Sequence, residues 1–470
     1  MLEYWQVLQL GLRLSMILFS QPGTNPDCRI AEAEALTKAT LLQAAVNGGD
    51  PLNHQRYAEI VNLHRQQLSD CRRQRQPATL GTWLRLYACD LQPGALEQTL
   101  DNIVNFGYNR IYLNTFYDGK VLLPQVDNPT IWPSVLGKKY PNRDLLAEVI
   151  QKANQRGIKV YAWLYTMNFG SNYRGNSKHK SIARNGYGET NLSDPAVLPE
   201  VKRANHIFID PYSEAARRDL QTLVKAVAKR RPDGMAFDYI RYAHRTIPKI
   251  TQVQDLMVYG LPSFSRLLQR ARTSNAREML YTYLAEGKVD GKLKAQAQWW
   301  QFPGHTPPAA RLGQSLNQQL WQLVVAHAQQ GVIDFLHQGI RAVPQGIPSA
   351  AVFFPRANQQ TATAIDPRVQ PWPQFKGAKE WTPMLYAACG SNDCILSELE
   401  LVMRQAPATM QICPVIAGHW GQNLGGRPPL EQQMGAIYRA YPKLSCTSHF
   451  AYSWLDPQLD RTRRSCSSGS

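Results

Sequence analysis

The stretch PDGMAFDYIRYAH, Pro232 to His244, contains the pattern that decides the fold. Its apolar run Met235-Ala236-Phe237 follows a helical stretch and predicts a short buried strand. The strand ends at Asp238, and Tyr239 and Arg241 come directly after it. A buried strand that ends in a carboxylate, beside a cation and aromatic rings, is typical of a (β/α)8 barrel, which presents functional side chains at the C-terminal ends of its strands.

The same alternation of strands and helices continues in both directions from this stretch. Helical segments of roughly 10 to 15 residues between short strands indicate βαβ units and a parallel sheet. We therefore predict an α/β fold, a (β/α)8 TIM barrel over residues 80–457, with a helical N-terminal segment at 24–79 and a helical insertion after strand four. The eight strands are predicted at residues 82–89, 109–116, 159–165, 234–238, 348–354, 381–388, 410–417 and 448–454.

The two ends of the chain carry weaker patterns. Residues 1–22 form a candidate leader because Leu8 to Ser20 is apolar, although Arg13 interrupts the run. No other stretch reaches the roughly 18 apolar residues that a membrane span needs. The tail at 458–470 is charged and then rich in serine, and we predict that it is disordered.

Eight cysteines permit disulfide bonds. Cys389 with Cys394 would close a short loop, and Cys28 with Cys71 would bracket the helical N-terminal segment. Buried free thiols are the alternative for the cysteines of the predicted strands, which are Cys89, Cys413 and Cys446. Disulfides imply a secreted or periplasmic protein, and the cytoplasm is the alternative location.

The charge balance of 52 basic against 35 acidic residues gives a net charge of +17 and suggests an anionic partner. The basic residues are scattered, and the sequence contains no glycine-rich phosphate loop or zinc-finger spacing. We therefore do not expect a specific nucleic-acid ligand. An acidic polysaccharide or an anionic envelope agrees better with the charge, and neither a metal nor an organic cofactor is expected.

Acidic and aromatic side chains follow several of the predicted strands, and in a barrel they would face one bowl. Carboxylates and aromatic rings suit a sugar, and cleavage of a glycosidic bond uses two carboxylic groups. Besides Asp238, the catalytic candidates are Asp456, Asp393 and Asp118, in that order. The predicted substrate-binding residues are Asp90, Tyr117, Tyr165, Asn168, Tyr239, Arg241, Arg356, Tyr386, His419, Trp420 and Trp454.

Four runs, at residues 144–163, 209–217, 233–242 and 381–386, resemble the bacterial glycosyl-hydrolase-like family ten. The FDYIRY run also resembles a sister glycosyl-hydrolase-like group. The resemblance covers roughly residues 80–457 and implies a TIM-barrel glycoside hydrolase, in which Asp238 matches the strand-four acid, the expected nucleophile or base. The third strand departs from the family pattern, since Tyr165-Thr-Met-Asn168 stands where a Trp-x-Glu-like ending is usual. No Glu stands plainly at a later strand end, so the acid/base partner stays open.

These observations together predict a glycoside hydrolase that acts on an envelope or extracellular polysaccharide. Asp238 would be its nucleophile or general base, kept ionised by the charge of Arg241. A carbohydrate-binding barrel without hydrolysis and a scaffold protein with a basic surface are the alternatives. For single residues, the structural alternatives are an ion pair of Arg241 with Asp238 or another rim acid and a loop hydrogen bond of His419.

Overall fold

The computed structural model describes residues 28–48, 50–173, 181–204, 206–289 and 315–465. The candidate leader at 1–22 and the last five residues of the predicted tail lie outside these ranges. Among the described helices, none has the length and apolar character that a membrane crossing requires.

Eight parallel strands pair in sequential order, and the eighth pairs with the first, so that the sheet closes into a barrel. This confirms the predicted (β/α)8 fold. The strands are β1 (Thr79–Leu84), β2 (Arg110–Tyr117), β3 (Lys159–Tyr165), β4 (Gly234–Asp238), β5 (Ser349–Phe353), β6 (Glu380–Leu385), β7 (Gln411–Ile412 and Val415–Ala417) and β8 (Cys446–Phe450).

Helices surround the barrel, and two of them precede it as the predicted helical N-terminal segment. A further pair, α7 and α8, forms the predicted helical insertion after β4. The helices are α1 (Glu32–Gly48), α2 (Pro51–Gln74), α3 (Ala95–Asn105), α4 (Leu145–Gln155), α5 (Pro199–Arg203), α6 (Glu214–Ala228), α7 (Leu261–Leu268), α8 (Ser274–Glu286), α9 (Leu316–Arg341), α10 (Asp393–Met403), α11 (Leu430–Ala440), α12 (Tyr452–Leu455) and α13 (Pro457–Ser465).

The barrel interior is filled by large side chains. The Trp83 ring stacks on Tyr112, with centroids 4.4 Å apart, and meets Trp163 edge-on at 4.8 Å. At the N-terminal end of the barrel, Arg110 Nη1 forms a 2.7 Å ion pair with Glu380 Oε2. The interior is therefore a packed core, and Trp163 packs in it beside the C-terminal end of β4.

The helical N-terminal segment is fastened to the barrel by a buried polar cluster. Arg156 Nε, just after α4, donates to Asp101 Oδ1 of α3 over 2.8 Å. Tyr57 of α2 donates to the other oxygen of Asp101 at 2.7 Å, and Lys38 of α1 lies 3.8 Å from the carboxylate. A disulfide between Cys28 and Cys71 joins the two ends of the segment.

The disulfides predicted for Cys28–Cys71 and Cys389–Cys394 are both present. A third bond joins Cys413 and Cys446, whose Cα atoms lie 4.8 Å apart on the neighbouring strands β7 and β8. Cys89 is disulfide-bonded as well. The alternative of buried free thiols is therefore wrong for the strand cysteines, because the barrel brings together residues that are distant in sequence.

The first and last strands begin earlier than predicted, at Thr79 and Cys446. The chain leaves the sheet after Leu84 and after Phe450, although the apolar pattern continues beyond both residues. The tail also differs from the prediction of disorder from residue 458, since residues 457–465 form α13. Arg463 of α13 is buried in an ion pair with Asp90, and such a long-range partner leaves no local signal in the sequence.

Candidate active site at the end of β4

Asp238 is the last residue of β4, and two N–H groups hold its carboxylate. Trp163 Nε1 donates to Oδ2 over 3.0 Å, and the backbone N–H of Tyr239 donates to Oδ1 over 2.6 Å. Only 6% of Asp238 is exposed. Burial raises the pKa of Asp238 because the charged form loses its hydration, and the two N–H donors and Arg241 oppose this only in part. A raised pKa favours the protonated carboxyl group that a proton donor requires.

The position of Arg241 differs from the prediction that it keeps Asp238 ionised. Its Nη1 donates to the backbone oxygen of Tyr242 over 3.1 Å. Its guanidinium carbon lies 4.6 Å from the ring centroid of Tyr239 and 5.5 Å from that of Phe354. The charge of Arg241 lowers the pKa of Asp238, but burial outweighs it, so the net direction is opposite to the prediction.

Two tyrosine rings lie beside Asp238. Tyr239 has a left-handed backbone with a φ of 51°, an unusual conformation for a residue with a large side chain. Its ring centroid lies 4.2 Å from that of Tyr165, the last residue of β3. Burial raises the pKa of both phenols, and the charges of Asp238 and Asp118 raise both further. The two carboxylates therefore act on the same pair of phenols.

Asp118 stands at the rim after β2, with 45% of its side chain exposed. Arg85, directly after β1, approaches it to 3.7 Å and also donates to the Tyr165 hydroxyl and to Asn114. His206 Nε2 lies 3.9 Å from Asp118, and burial lowers the pKa of His206 to about 4, so this imidazole is neutral at neutral pH. Asp118 thus has one permanent cation beside it. The ring of Tyr117, a predicted site residue, lies 4.2 Å from the same guanidinium.

A row of aromatic rings extends from Trp163 away from these tyrosines. Phe450, at the end of β8, lies 6.3 Å from Trp163 and 6.0 Å from Tyr386. Trp454 of α12 lies 6.4 Å from Phe450, and His419 stacks on Trp454 at 5.6 Å with nearly parallel planes. The structure therefore connects the predicted residues Tyr386, His419 and Trp454 to the surroundings of Asp238.

Three of the predicted acids have other contacts. Asp456 Oδ1 accepts the backbone N–H of Leu459 and caps α13. Asp393 is exposed in the first turn of α10, where the Ser391 hydroxyl donates to it. Asp90 is buried in its ion pair with Arg463. Of the four catalytic candidates, the structure thus brings Asp118 to the phenols next to Asp238.

Three further predicted residues also have local partners. Asn168 is fully buried, and its Oδ1 accepts backbone N–H groups in the loop after β3. Trp420 Nε1 donates to the hydroxyl of Tyr108, and the Arg29 guanidinium lies 4.4 Å from the Trp420 ring. The half-exposed Arg356 donates to Ser397 of α10.

Sequence reasoning missed Trp163, Arg85 and His206. Trp163 has the pattern of an ordinary strand residue. The predicted first strand ends at residue 89 and includes Arg85, whereas β1 ends at Leu84 and places Arg85 directly after it. His206 lies in a long polar loop, which has no periodic pattern to place it. A correct β1 boundary would have revealed Arg85.

One group of potential metal ligands occurs within the described ranges, formed by Glu380, Cys413 and Cys446 at the opposite end of the barrel. The two sulfur atoms are bonded to each other, and Glu380 is paired with Arg110. In this form the group offers no thiolate ligands.

No protein-family model and no curated protein sequence matches the chain. Among solved structures, it is similar to the glycoside hydrolase domain of PgaB (BpsB) from Bordetella bronchiseptica. The TM-score is 0.50 at 17% identity, over 83% of this chain and 99% of that chain. This similarity shows the fold alone.

Two other solved structures are similar to a lower degree. A GH18 chitinase from Pseudoalteromonas aurantia has a TM-score of 0.38 at 11% identity, over 83% of this chain and 99% of that chain. A GH20 exo-β-N-acetylglucosaminidase from Vibrio harveyi has a TM-score of 0.40 at 11% identity, over 82% of this chain and 52% of that chain.

Proposed function

We propose that the protein is a glycoside hydrolase that cleaves O-glycosidic bonds in an envelope or extracellular polysaccharide. The observation that supports this is Asp238, a buried carboxyl group with a raised pKa that is held by two N–H donors at the C-terminal end of a barrel strand. The resemblance to glycosyl-hydrolase-like family ten and the barrel shared with the PgaB domain agree with the proposal, and family membership remains part of it.

The surroundings of the two carboxylates suggest different roles. Cleavage requires one group that protonates the departing oxygen and a second that attacks the sugar or activates water. Asp238, whose buried environment favours the protonated form, is the proton donor in this proposal. Asp118 is the second carboxylate, since it is accessible at the rim and has the cation Arg85 beside it. This assignment reverses the role that the sequence predicted for Asp238.

The aromatic row supplies a surface for the sugar rings. The C–H faces of pyranose rings pack well on aromatic side chains, and polar tips beside them can bind the hydroxyl groups. Tyr386, Phe450 and Trp454 form such a surface next to Trp163, which itself binds Asp238. A polysaccharide lying along this row would pass the proposed proton donor.

The test is the release of reducing ends from a panel of envelope and extracellular polysaccharides. Asp238→Asn preserves shape but cannot donate a carboxylic proton, so we expect turnover to fall on the order of a thousandfold while sugar binding persists. Asp233→Asn is the matched control. Asp233 directly precedes the same strand, accepts the backbone N–H of Val160 and pairs with Lys159 at the other end of the barrel, so its variant should retain activity. Equal turnover in wild type and Asp238→Asn would remove Asp238 from the chemistry.

A catalytically inactive carbohydrate-binding barrel is the second candidate. It is favoured by the contacts of the acids other than Asp238, because Asp456 and Asp393 serve helix starts and Asp118 already faces Arg85. Sugar binding by the wild type without release of reducing ends, across the whole panel, would select this alternative.

The disulfides support a secreted or periplasmic location within the same proposal. Three bonds are formed entirely by described cysteines, and such bonds persist in oxidising compartments. A polysaccharide substrate outside the cytoplasm is consistent with this location.

A further inference from the structure

Arg241 is a buried cation without an anionic partner among the residues that the structure describes. Only 8% of it is exposed, and its one hydrogen bond to a described residue goes to the backbone oxygen of Tyr242. Within the described ranges, its buried Nε has no acceptor. Both structural explanations considered from the sequence, an ion pair with Asp238 and an ion pair with another rim acid, are therefore absent from the described part of the chain.

Such an arrangement is unfavourable for the protein alone. A guanidinium group offers five N–H donors in a planar fork. Burial removes the hydration of this cation, and one hydrogen bond to a backbone oxygen replaces it only in part. Burial accordingly lowers the pKa of Arg241. The stacking of Arg241 on Tyr239 and Phe354 orients the guanidinium but does not neutralise it.

A second guanidinium nearby has the partner that Arg241 lacks. Arg368 forms two hydrogen bonds with Asp366, at 2.8 and 2.7 Å, and its guanidinium carbon lies 4.9 Å from the same Phe354 ring. The backbone N–H of Tyr242 donates to the carbonyl of Arg368 over 2.9 Å, so the two segments are held together. Asp366 is thus already used by Arg368. The other carboxyl group that acts on Arg241 is Asp238, whose buried environment favours the protonated form, so it does not serve as a full counter-ion.

Arg241 is also next to the proposed chemistry. It lies over Tyr239, the residue that directly follows Asp238, and its charge acts on the Asp238 carboxyl group. An anionic group that binds Arg241 would therefore belong to a sugar unit at or beside the bond that is cleaved.

We propose that Arg241 binds the carboxylate of a uronic acid unit, and that the substrate is an acidic polysaccharide containing uronic acids. This inference rests on the proposed function, because it places the uronic acid at or beside the bond that is cleaved. The planar fork of Arg241 matches a carboxylate, and the neighbouring aromatic rings match the faces of the sugar that carries it. The anion supplies the counter-ion that the buried guanidinium lacks. The surplus of basic residues in the whole chain agrees with an acidic polymer as the partner.

The test measures binding rather than cleavage, so that it stays independent of the proposed hydrolysis. The full chain carrying Asp238→Asn is titrated with two matched pairs of oligosaccharides. Oligogalacturonate is compared with its neutral methyl ester, and hyaluronan oligosaccharides with chitin oligosaccharides. We expect the acidic member of at least one pair to bind more tightly. Arg241→Gln should reduce that preference on the order of 10- to 100-fold, which is the range that a charge-assisted hydrogen bond commonly contributes.

Arg404→Gln is the control for non-specific charge. Arg404 is an exposed residue after α10 that pairs with Glu400, so its loss removes one positive charge from an exposed ion pair. The preference for the acidic member should persist in this variant. Arg241→Lys keeps the charge but lacks the planar fork, so its preference for the acidic member should lie between those of the wild type and Arg241→Gln. Arg241→Lys serves as the test variant if Arg241→Gln does not fold.

Three results would overturn the inference. They are equal binding of acidic and neutral members in both pairs, a preference that survives Arg241→Gln, and a preference that falls equally in Arg404→Gln. A failure of the proposed hydrolysis is recognised separately, since wild type and Asp238→Asn would then release equal amounts of reducing ends while the binding preference could still be measured.

Discussion

Replacing Trp163 by Phe tests the role of Asp238 through a single hydrogen bond. The indole N–H donates to Asp238 Oδ2 over 3.0 Å, and a hydrogen bond to a charged group contributes about 1.5–3 kcal/mol. This bond favours the ionised carboxylate, so its loss raises the pKa of Asp238 further. Below that pKa, the ionised population should fall by about 10- to 150-fold, since 1.36 kcal/mol corresponds to a factor of ten.

The assay is the pH dependence of kcat/KM on a cleaved polysaccharide. If Asp238 is the proton donor, as we propose, the alkaline limb of the profile moves to higher pH in Trp163→Phe, because the acid keeps its proton longer. A nucleophile or base must be ionised. In that case the acid limb would move to higher pH instead, and activity at lower pH would fall by the factor given above.

Trp83→Phe is the matched control for the loss of an indole. Trp83 packs against Trp163 in the same core, but its N–H donates to Ser448 Oγ over 3.1 Å and not to the acid. Its profile should keep the limb positions of the wild type. A Trp163→Phe profile with unmoved limbs, or an equal movement in both variants, would refute the assignment of a hydrogen-bonded, titrating Asp238.

Two predictions concern stability. The disulfide of Cys28 and Cys71 closes a separation of 43 residues, and chain entropy assigns it about 4 kcal/mol, against about 2 kcal/mol for the separation of 5 residues between Cys389 and Cys394. Replacing both Cys28 and Cys71 by Ser should therefore lower the free energy of unfolding more than replacing both Cys389 and Cys394. Urea titrations that give the reverse order would contradict the chain-entropy account. Burial lowers the pKa of His449 to about 3 in the folded protein. As the pH falls, the imidazole is therefore protonated in the unfolded chain first, and stability is lost below a pH of about 6.5. Between pH 7.5 and 5, His449 should account for a loss of about 2 kcal/mol in the free energy of unfolding. Urea titrations at both pH values should show that His449→Gln removes this loss. The same pH dependence in wild type and variant would disprove the role of His449.

The sequence by itself determined the fold and one catalytic candidate. Strand and helix periodicities are local properties, and eight short strands that alternate with helices favour a closed barrel over an open parallel sheet. The structure confirms this closed barrel. Asp238 could be placed because the run before it is uniformly apolar and the strand ends where that run ends. The bonded pair Cys389–Cys394 was also accessible, since its loop is short.

Only the tertiary structure decided which side chains surround Asp238. Local patterns ranked Asp456 and Asp393 above Asp118. The structure places Asp118 3.7 Å from Arg85, which also donates to the Tyr165 hydroxyl, and leaves the other two acids at helix starts. Arg85 was hidden by a small error in the boundary of β1, since a shift of a few residues changes which side chain stands at the strand end. The direction of the pKa shift of Asp238 was likewise inaccessible, because the sequence shows that Arg241 is near but not how deeply the carboxyl group is buried. Burial and ion pairs depend on residues that are distant in the chain, and only folding brings these together. The same holds for the lack of an ion pair at Arg241 within the described residues.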